Sequence, residues 1–241
     1  MLEFFGLCVQ NLIKSIKYLF QVRFSAVLTQ AAAISYDSLP IALIISFIAA
    51  AVITIQVSKQ FLMSGAESYV GGTLAVVIIR EIAPAFVALS IGARAGTAIS
   101  AEIANMQVTE QVDAIKTLKV DPVGYYFAPR IVAAAFTVPM VVIIAELIGI
   151  LSGMLIAYIT IGLHPNRYIT SVWLWLNTRD FYISIFKGFC FGIIIANICA
   201  TQGYETKGGA KDVGISTTQA AIKSTIYLLF ADFIINFFFY L

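Results

Sequence analysis

Uncharged apolar stretches constrain the fold of this chain more than any other feature of its sequence. The first of them, Ser38–Ser58, carries no ionisable side chain and is bounded by Asp37 and Lys59. A helix that crosses a bilayer needs about 20 such residues in a row. Hydrophobic residues make up 60% of the 241 residues and charged residues 12%, against roughly 25% charged residues in a soluble domain. Because a soluble protein needs polar cover for its surface, this composition predicts a membrane protein.

Four further apolar segments resemble the first, and polar intervals with Gly, Pro or charged residues separate them. The five predicted spans are Ser38–Ser58, Thr73–Ile91, Ile131–Leu163, Phe181–Thr201 and Thr217–Leu241. We therefore expect an all-α polytopic membrane protein with about five transmembrane helices, which form one bundle over residues 37–241. The interval between the third and fourth spans, around His164 and Trp173, is expected to be a loop.

The N-terminal segment mixes apolar residues with basic ones. Lys14, Lys17 and Arg23 interrupt a series of leucine, isoleucine and phenylalanine residues. This pattern predicts an amphipathic helix over residues 1–30 that lies in the membrane interface. An ordinary cytosolic helix that precedes the first span is the alternative.

The distribution of basic residues predicts the orientation of the spans. With a cytosolic N-terminus, the cytosolic segments hold nine of the basic residues outside the spans: Lys14, Lys17, Arg23, Arg94, Lys116, Lys119, Arg130, Lys207 and Lys211. The outer segments then hold Lys59, Arg167 and Arg179. Loops with more lysine and arginine stay on the cytosolic side, so we expect the N-terminus to be inside.

Several kinds of chemistry are not indicated by the sequence. A GxxxxGK[ST] motif does not occur, so any ATP hydrolysis would come from another subunit. The three cysteines lack CxxC spacing and the single histidine has no neighbouring ligands, so we predict no catalytic residue and no metal site. A net charge of +2 gives no reason to expect a nucleic-acid partner.

Charged residues inside the predicted spans are the first candidates for function, because burying a charge in lipid is costly. Arg80 and Glu81 lie in the second span, ahead of Pro84. Adjacent helical residues point about 100° apart, so at least one of the two must face another helix, a polar cavity or a lipid headgroup. The alternative to a functional role is a structural ion pair between helices. Asp180 and Lys187 are seven residues apart on one helical face and could form a ladder for an anionic headgroup. Alternatively, Lys187 could extend toward the outer surface.

Two further acids, Glu146 and Asp232, also fall within predicted spans. Each could couple transport to protons, or could be buried against a Ser, Asn or Lys partner. The residues alone therefore leave open an ion-coupled secondary transporter or channel that uses Glu146, Asp232 or Lys187, and a membrane scaffold without transport activity. A lipid-metabolising enzyme is disfavoured because no nucleophile or metal constellation is present.

Small residues recur four apart at three places in the predicted spans. The pairs are Gly92/Gly96, Gly149/Gly153 and Gly188/Gly192. Such pairs let two helices approach closely. We expect tight packing at these positions, within one chain or across a dimer.

The polar interval between the second and third spans has a partial helical periodicity over residues 98–119. Its apolar residues alternate with a polar and acidic set: Glu102, Thr109, Glu110 and Asp113. An acidic cytosolic helix with one apolar stripe can dock in a groove of a soluble partner, or can fold back on its own bundle.

Three long stretches resemble the permeases of Mla-type lipid ABC transporters. They read REIAPAFVALSIGARAGTAISAEIANMQVTEQVDAIKTLKVDP (residues 80–122), PRIVAAAFTVPMVVIIAELIGILSG (129–153) and GYETKGGAKDVGISTTQAAIKST (203–225). The resemblance implies that residues 1–241 form one permease domain of a homodimer that moves phospholipid between inner and outer membranes. It also implies a cytosolic ATPase dimer that binds the ATP and Mg²⁺, an MCE-type substrate-binding protein and, for some members, a STAS-domain regulator.

The same resemblance assigns roles to particular residues. Arg80 and Glu81 match a charged pair beside the lipid pocket, and Asp180 and Lys187 match two charges of the fourth span. Residues 98–119 match the coupling helix that docks on the ATPase. The location implied is the inner membrane of a two-membrane bacterium, with the inner envelope of a plastid as the alternative.

Overall fold

A computed structural model describes residues 2–19 and 22–240 of the chain. Its α-helices are α1 (Leu2–Tyr18), α2 (Phe24–Met63), α3 (Val70–Val77), α4 (Ala83–Ile91), α5 (Thr97–Val108), α6 (Gln111–Thr117), α7 (Pro122–Ile161), α8 (Pro165–Trp175), α9 (Thr178–Tyr204) and α10 (Ala210–Tyr240). A 3₁₀ turn (Glu67–Tyr69) precedes α3, and two π-helical segments, Ile78–Ile82 and Gly92–Gly96, connect α3, α4 and α5 into one continuous helix, the 67–108 helix.

Five of these helical segments are long and apolar enough to cross a membrane, which confirms the predicted all-α polytopic class. The segments are Phe24–Met63, Glu67–Val108, Pro122–Ile161, Thr178–Tyr204 and Ala210–Tyr240. They extend well beyond most of the predicted bounds, because charged residues mark the edge of the hydrocarbon and not the end of backbone hydrogen bonding. Position 241, the last residue of the predicted fifth span, lies outside the described residues.

Two further expectations about element bounds were wrong. The N-terminal helix ends at Tyr18, and residues from Phe24 onward belong to α2, so the expected bound at residue 30 was too late; residues 1, 20 and 21 of that stretch are not described. The expected loop around His164 contains α8. Pro165 occupies the first turn of α8, where proline favours a helix, and His164 Nδ1 accepts a hydrogen bond from the backbone N–H of Asn166 at 3.3 Å.

The described residues divide into two compact units. The first is drawn from Met1–Ser38, Ala88–Val138 and Phe189–Leu241, and the second from Leu39–Val87 and Pro139–Gly188. Long helices run from one unit into the other, so a unit comprises parts of several spans.

In the first unit, α1 packs through its polar side. Asn11 Nδ2 donates to Thr201 Oγ1 at 3.2 Å, and Asn197 Nδ2 donates to the Cys8 carbonyl at 3.0 Å, which ties α1 to α9. The opposite side of α1 is apolar and exposed, and its members are Phe5, Val9, Ile13 and Ile16. The amphipathic helix is thus turned with its hydrogen-bonding residues inward.

Close approach of α9 and α7 requires glycine at two positions. A Cβ added at Gly192 would collide with the Ala134 carbonyl in the first unit, and one at Gly188 would lie 3.0 Å from Pro139 Cα in the second. The expectation of tight packing is therefore confirmed there. It was wrong for Gly92, where an added Cβ meets nothing nearer than 3.6 Å.

The second unit contains a stripe of small buried residues along α2 that recurs every four positions: Ala42, Ser46, Ala50, Thr54 and Ser58. The Ser152 hydroxyl of α7 donates to the Phe47 carbonyl at 2.9 Å, which locks the two helices together. In the same unit, α8 packs against the start of α3, where the Gly72 N–H donates to Ser171 Oγ at 2.9 Å.

Candidate functional site

Four of the residues singled out in the sequence meet in the second unit and form a charged cluster of Arg80, Glu81, Asp180 and Lys187. Arg80 Nε lies 2.9 Å from Asp180 Oδ1, and Lys187 Nζ lies 3.0 Å from Glu81 Oε1. The two pairs connect the 67–108 helix with α9. Since Asp180 and Lys187 are two helical turns apart on one face, they reach two neighbouring residues of the facing helix.

The backbone of the 67–108 helix changes at this point. Arg80 and Glu81 lie in the π-helical segment Ile78–Ile82, where the helix is wider than an α-helix. Lys187 Nζ donates a hydrogen bond to the Arg80 carbonyl oxygen at 2.7 Å, in addition to its ion pair with Glu81. The lysine thus binds both a side chain and the main chain of the π-helical segment.

Exposure differs sharply between the two sides of the cluster. The side chains of Asp180 and Lys187 are 3% and 0% exposed, whereas those of Arg80 and Glu81 are 37% and 44% exposed. The alternative in which Lys187 extends toward the outer surface is therefore wrong. The expected ladder for an anionic headgroup is wrong as well, because both α9 charges face the 67–108 helix. Arg80 and Glu81 are the members that another molecule could reach.

Glu146 of α7 adjoins the same face of α9. Its buried carboxyl accepts a hydrogen bond from the hydroxyl of Ser184, which lies between Asp180 and Lys187 in the sequence. The alternative of burial against a serine partner is thus confirmed for Glu146. Ser184 was missed at first, although its spacing of four from Asp180 and three from Lys187 places it on the same helical face. Asp232 lies in α10, which belongs to the first unit.

The acidic segment is built differently from the expected single helix over residues 98–119. It consists of α5 and α6, because Thr109 leaves the helical conformation and Glu110 adopts a left-handed one with φ of 59°. Thr109 Oγ1 donates to the Asn105 carbonyl at 2.8 Å, which satisfies an end of α5. Thr109, Glu110 and Asp113 are exposed.

Glu102 has a partner within the chain. Its carboxylate lies 2.6 Å from Arg130 Nη2, and the Arg130 side chain is only 4% exposed and also donates to the Tyr126 carbonyl at 2.7 Å. Asp113, in contrast, pairs with Lys116 at 2.8 Å on the surface, and this hydrogen bond raises the pKa of Lys116. Arg130 was missed as a partner, because an arginine at the edge of an apolar run fits the topology without any pairing.

A second arginine of the 67–108 helix was also missed. Arg94 lies in the π-helical segment Gly92–Gly96 and forms an ion pair of 2.6 Å with Asp37. Both π-helical segments therefore contain an arginine that pairs with an aspartate of another helix.

These features define a class: a polytopic α-helical membrane protein with an ion-paired cluster in its spans and an acidic helical arm, α5–α6. The profile of the family described as Permease MlaE matches residues 27–238. A probable ABC transporter permease of Rickettsia prowazekii is 34% identical over 95% of this chain and 87% of that protein. One from Synechocystis is 39% identical over 84% of this chain and 75% of that protein. The chloroplastic protein TRIGALACTOSYLDIACYLGLYCEROL 1 of Arabidopsis thaliana is 33% identical over 84% of this chain and 58% of that protein.

The chain belongs to the MlaE permease family. A match over nearly all five spans, together with relatives that are similar over most of their own length, supports this assignment.

Proposed function

We propose that this chain is the membrane-spanning permease subunit of an ABC transporter that moves phospholipid between inner and outer membranes. The observation that carries the proposal is the charged cluster, which leaves Arg80 and Glu81 accessible at the level of the predicted spans. A charged pair at this depth can hold a polar headgroup while apolar helix faces accommodate the acyl chains. The relatives named as probable ABC transporter permeases support the permease part of this proposal.

The energy for transport comes from a separate cytosolic ATPase dimer that binds ATP and Mg²⁺. The permease is a homodimer without catalytic residues of its own. Each copy contacts the ATPase through the α5–α6 arm, whose accessible polar residues include Glu102, Thr109, Glu110 and Asp113. When the ATPase dimer closes on ATP, it displaces the arm, and the connected 67–108 helix transmits the movement to Arg80 and Glu81.

Further components act on the opposite face and at the membrane surface. An MCE-type protein exchanges the lipid outside, and a STAS-domain protein regulates the ATPase side. The apolar face of α1 lies in the cytosolic membrane interface, because exposed Phe5, Ile13 and Ile16 would otherwise contact water. The membrane is the inner membrane of a two-membrane bacterium, or the inner envelope of a plastid.

Purification of the tagged chain from its native membranes tests the proposal. We expect a P-loop ATPase to co-purify, and the complex in proteoliposomes to transfer fluorescent phosphatidylethanolamine to acceptor vesicles only when ATP and Mg²⁺ are present. The non-hydrolysable analogue AMP-PNP is the matched control. Transfer that follows a proton or sodium gradient without nucleotide would instead identify an ion-coupled secondary transporter.

A further inference from the structure

The charged cluster has no excess of positive charge. Its two cations, Arg80 and Lys187, are each paired with one anion, Asp180 and Glu81. Glu146 of α7, which contacts α9 through Ser184, adds no charge when it is protonated and one negative charge when it is ionised. The sum over these five groups is therefore zero or −1. The nearest further cation along the chain is Arg179, which is exposed in the first turn of α9.

The two accessible members of the cluster carry opposite charges on adjacent residues. Arg80 is 37% exposed and Glu81 is 44% exposed, whereas the Lys187 ammonium is enclosed between Glu81 and the Arg80 carbonyl. A visiting headgroup thus meets a guanidinium and a carboxylate side by side. It does not meet the lysine, which would otherwise be the natural partner of an additional phosphate charge.

A headgroup that binds at the charged cluster loses its hydration water. A charge that finds no partner there is therefore costly. A lipid with a net negative headgroup would add an anion to a site whose cations already have anionic partners. A zwitterionic headgroup brings a phosphate for Arg80 and an ammonium for Glu81, and leaves the total charge unchanged. We infer that the site selects phospholipids whose headgroup carries an amine and no net charge. This inference rests on the proposed function, since it concerns the headgroup of the transported lipid.

The test is a competition between two lipids with the same acyl chains. The full chain is reconstituted in vesicles of equal parts dioleoyl-phosphatidylethanolamine and dioleoyl-phosphatidylglycerol, extracted in mild detergent and examined by native mass spectrometry. We expect the wild type to retain phosphatidylethanolamine over phosphatidylglycerol by about fivefold. Glu81→Gln removes one negative charge and should bring the ratio to one or below, whereas Arg80→Gln should lower retention of both lipids without favouring phosphatidylglycerol.

Two matched variants separate the cluster from its surroundings. Lys59→Gln changes the charge by one at an exposed position of the same unit, and Arg179→Gln removes the neighbouring exposed cation. Both should keep the wild-type ratio. The headgroup inference alone would be overturned if the wild type retained phosphatidylglycerol over phosphatidylethanolamine and Glu81→Gln left that ratio unchanged. If neither the wild type nor any variant retained phospholipid, the proposed function would be overturned together with the headgroup inference.

Discussion

Lys187 donates to the backbone carbonyl of Arg80 across 2.7 Å while the same ammonium pairs with Glu81. The lysine is completely buried, so the contact is part of the helix packing and not a surface pair. It attaches α9 to the π-helical segment at the point where the segment carries its two charges.

Because Lys187 makes both contacts, we predict that exchanging the charges of residues 81 and 187 will not preserve the stability of the protein. In the double variant Glu81→Lys/Lys187→Glu the ion pair is retained, but glutamate at position 187 cannot donate to the Arg80 carbonyl. We expect a loss of about 1.5–3 kcal/mol of stability for the lost charged hydrogen bond, or roughly 5–10 °C in Tm for a chain of this size. Glu81→Gln keeps the donation and should lose less. Thermal unfolding in detergent measures both, and a double variant as stable as the wild type would show that the ion pair alone matters.

Different outcomes are expected for Glu102 and Asp113, two of the three acids of the α5–α6 arm. Glu102→Lys places a cation beside buried Arg130 and should lower the Tm of the isolated permease. Asp113→Lys changes an exposed pair and should leave the Tm within about 1 °C, while it reduces capture of the proposed ATPase. Nanoscale thermal unfolding and a pull-down performed on the same samples separate the two effects. Equal Tm losses would contradict the distinction.

The break between α5 and α6 depends on a glutamate in the left-handed region. Glu110 has φ of 59°, which costs a non-glycine residue about 1–2 kcal/mol. Glu110→Gly relieves this cost, and should be neutral or raise the Tm by a few degrees, whereas Glu110→Val should lower it. Ala114→Gly, at an exposed position inside α6, is the control and should cost about 1 kcal/mol. The same loss at both positions would show that residue 110 is not strained.

Two helical glycines should respond oppositely to the same substitution. Gly192→Ala forces a Cβ against the Ala134 carbonyl and should destabilise the permease by about 1–3 kcal/mol. Gly214→Ala in α10 meets no atom within 4 Å, so the better helix propensity of alanine should leave stability unchanged or improve it. Unfolding temperatures of the two variants give the comparison. A tolerated Gly192→Ala would mean that α7 and α9 can separate at little cost.

The alkylation of Cys8 should depend strongly on pH. Burial raises the pKa of its thiol to about 11, against smaller opposing effects of the Thr201 hydroxyl and the Lys223 charge. Only the thiolate reacts, so at pH 8 about one thiol in a thousand is reactive. In a Cys190→Ala/Cys199→Ala background, the rate of maleimide labelling should rise about tenfold per pH unit from pH 7 to 10. Free glutathione, which approaches its limit near pH 9, is the control, and a plateau of the Cys8 rate near that pH would contradict the assigned environment.

The raised pKa of the Cys8 thiol also has a defined consequence for stability. The neutral thiol is favoured in the folded chain, so its contribution is complete below the ordinary pKa of 9.0 and is lost as the pH rises toward about 11. The Tm of the Cys190→Ala/Cys199→Ala variant should therefore fall more steeply above pH 9 than the Tm of the variant that also carries Cys8→Ala.

The number of spans could be predicted because hydrophobic length alone decides whether a helix can cross a bilayer. Helix bounds could not, since the hydrogen bonds of α2 continue past Asp37 wherever the chain can remain helical. The helix α8 was missed because Pro165 can either interrupt a helix or begin one, and only the fold distinguishes the two.

The candidate site was predicted in its members and not in its pairing. Their spacing placed Asp180 and Lys187 on one helical face. Arg80 and Glu81 were recognised as candidates because charged residues inside a predicted span are costly. The partner of each depends on how α9 rotates against the 67–108 helix, a relationship between residues 100 or more positions apart. For the same reason the ion pair of Glu102 with Arg130 could not be predicted, and the role of the 46% exposed Glu102 in an ATPase contact stays a prediction.

The pairing of Arg80 with Asp180 and of Glu81 with Lys187 also affects how these positions can change over evolutionary time. An isolated replacement of one member leaves a charge without its counterpart between two helices, whereas a joint replacement keeps the balance. We therefore expect residues 80 and 180 to covary among relatives. At 81 and 187 the range of tolerated exchanges should be narrower, because whatever replaces the lysine must still supply a donor to the main chain.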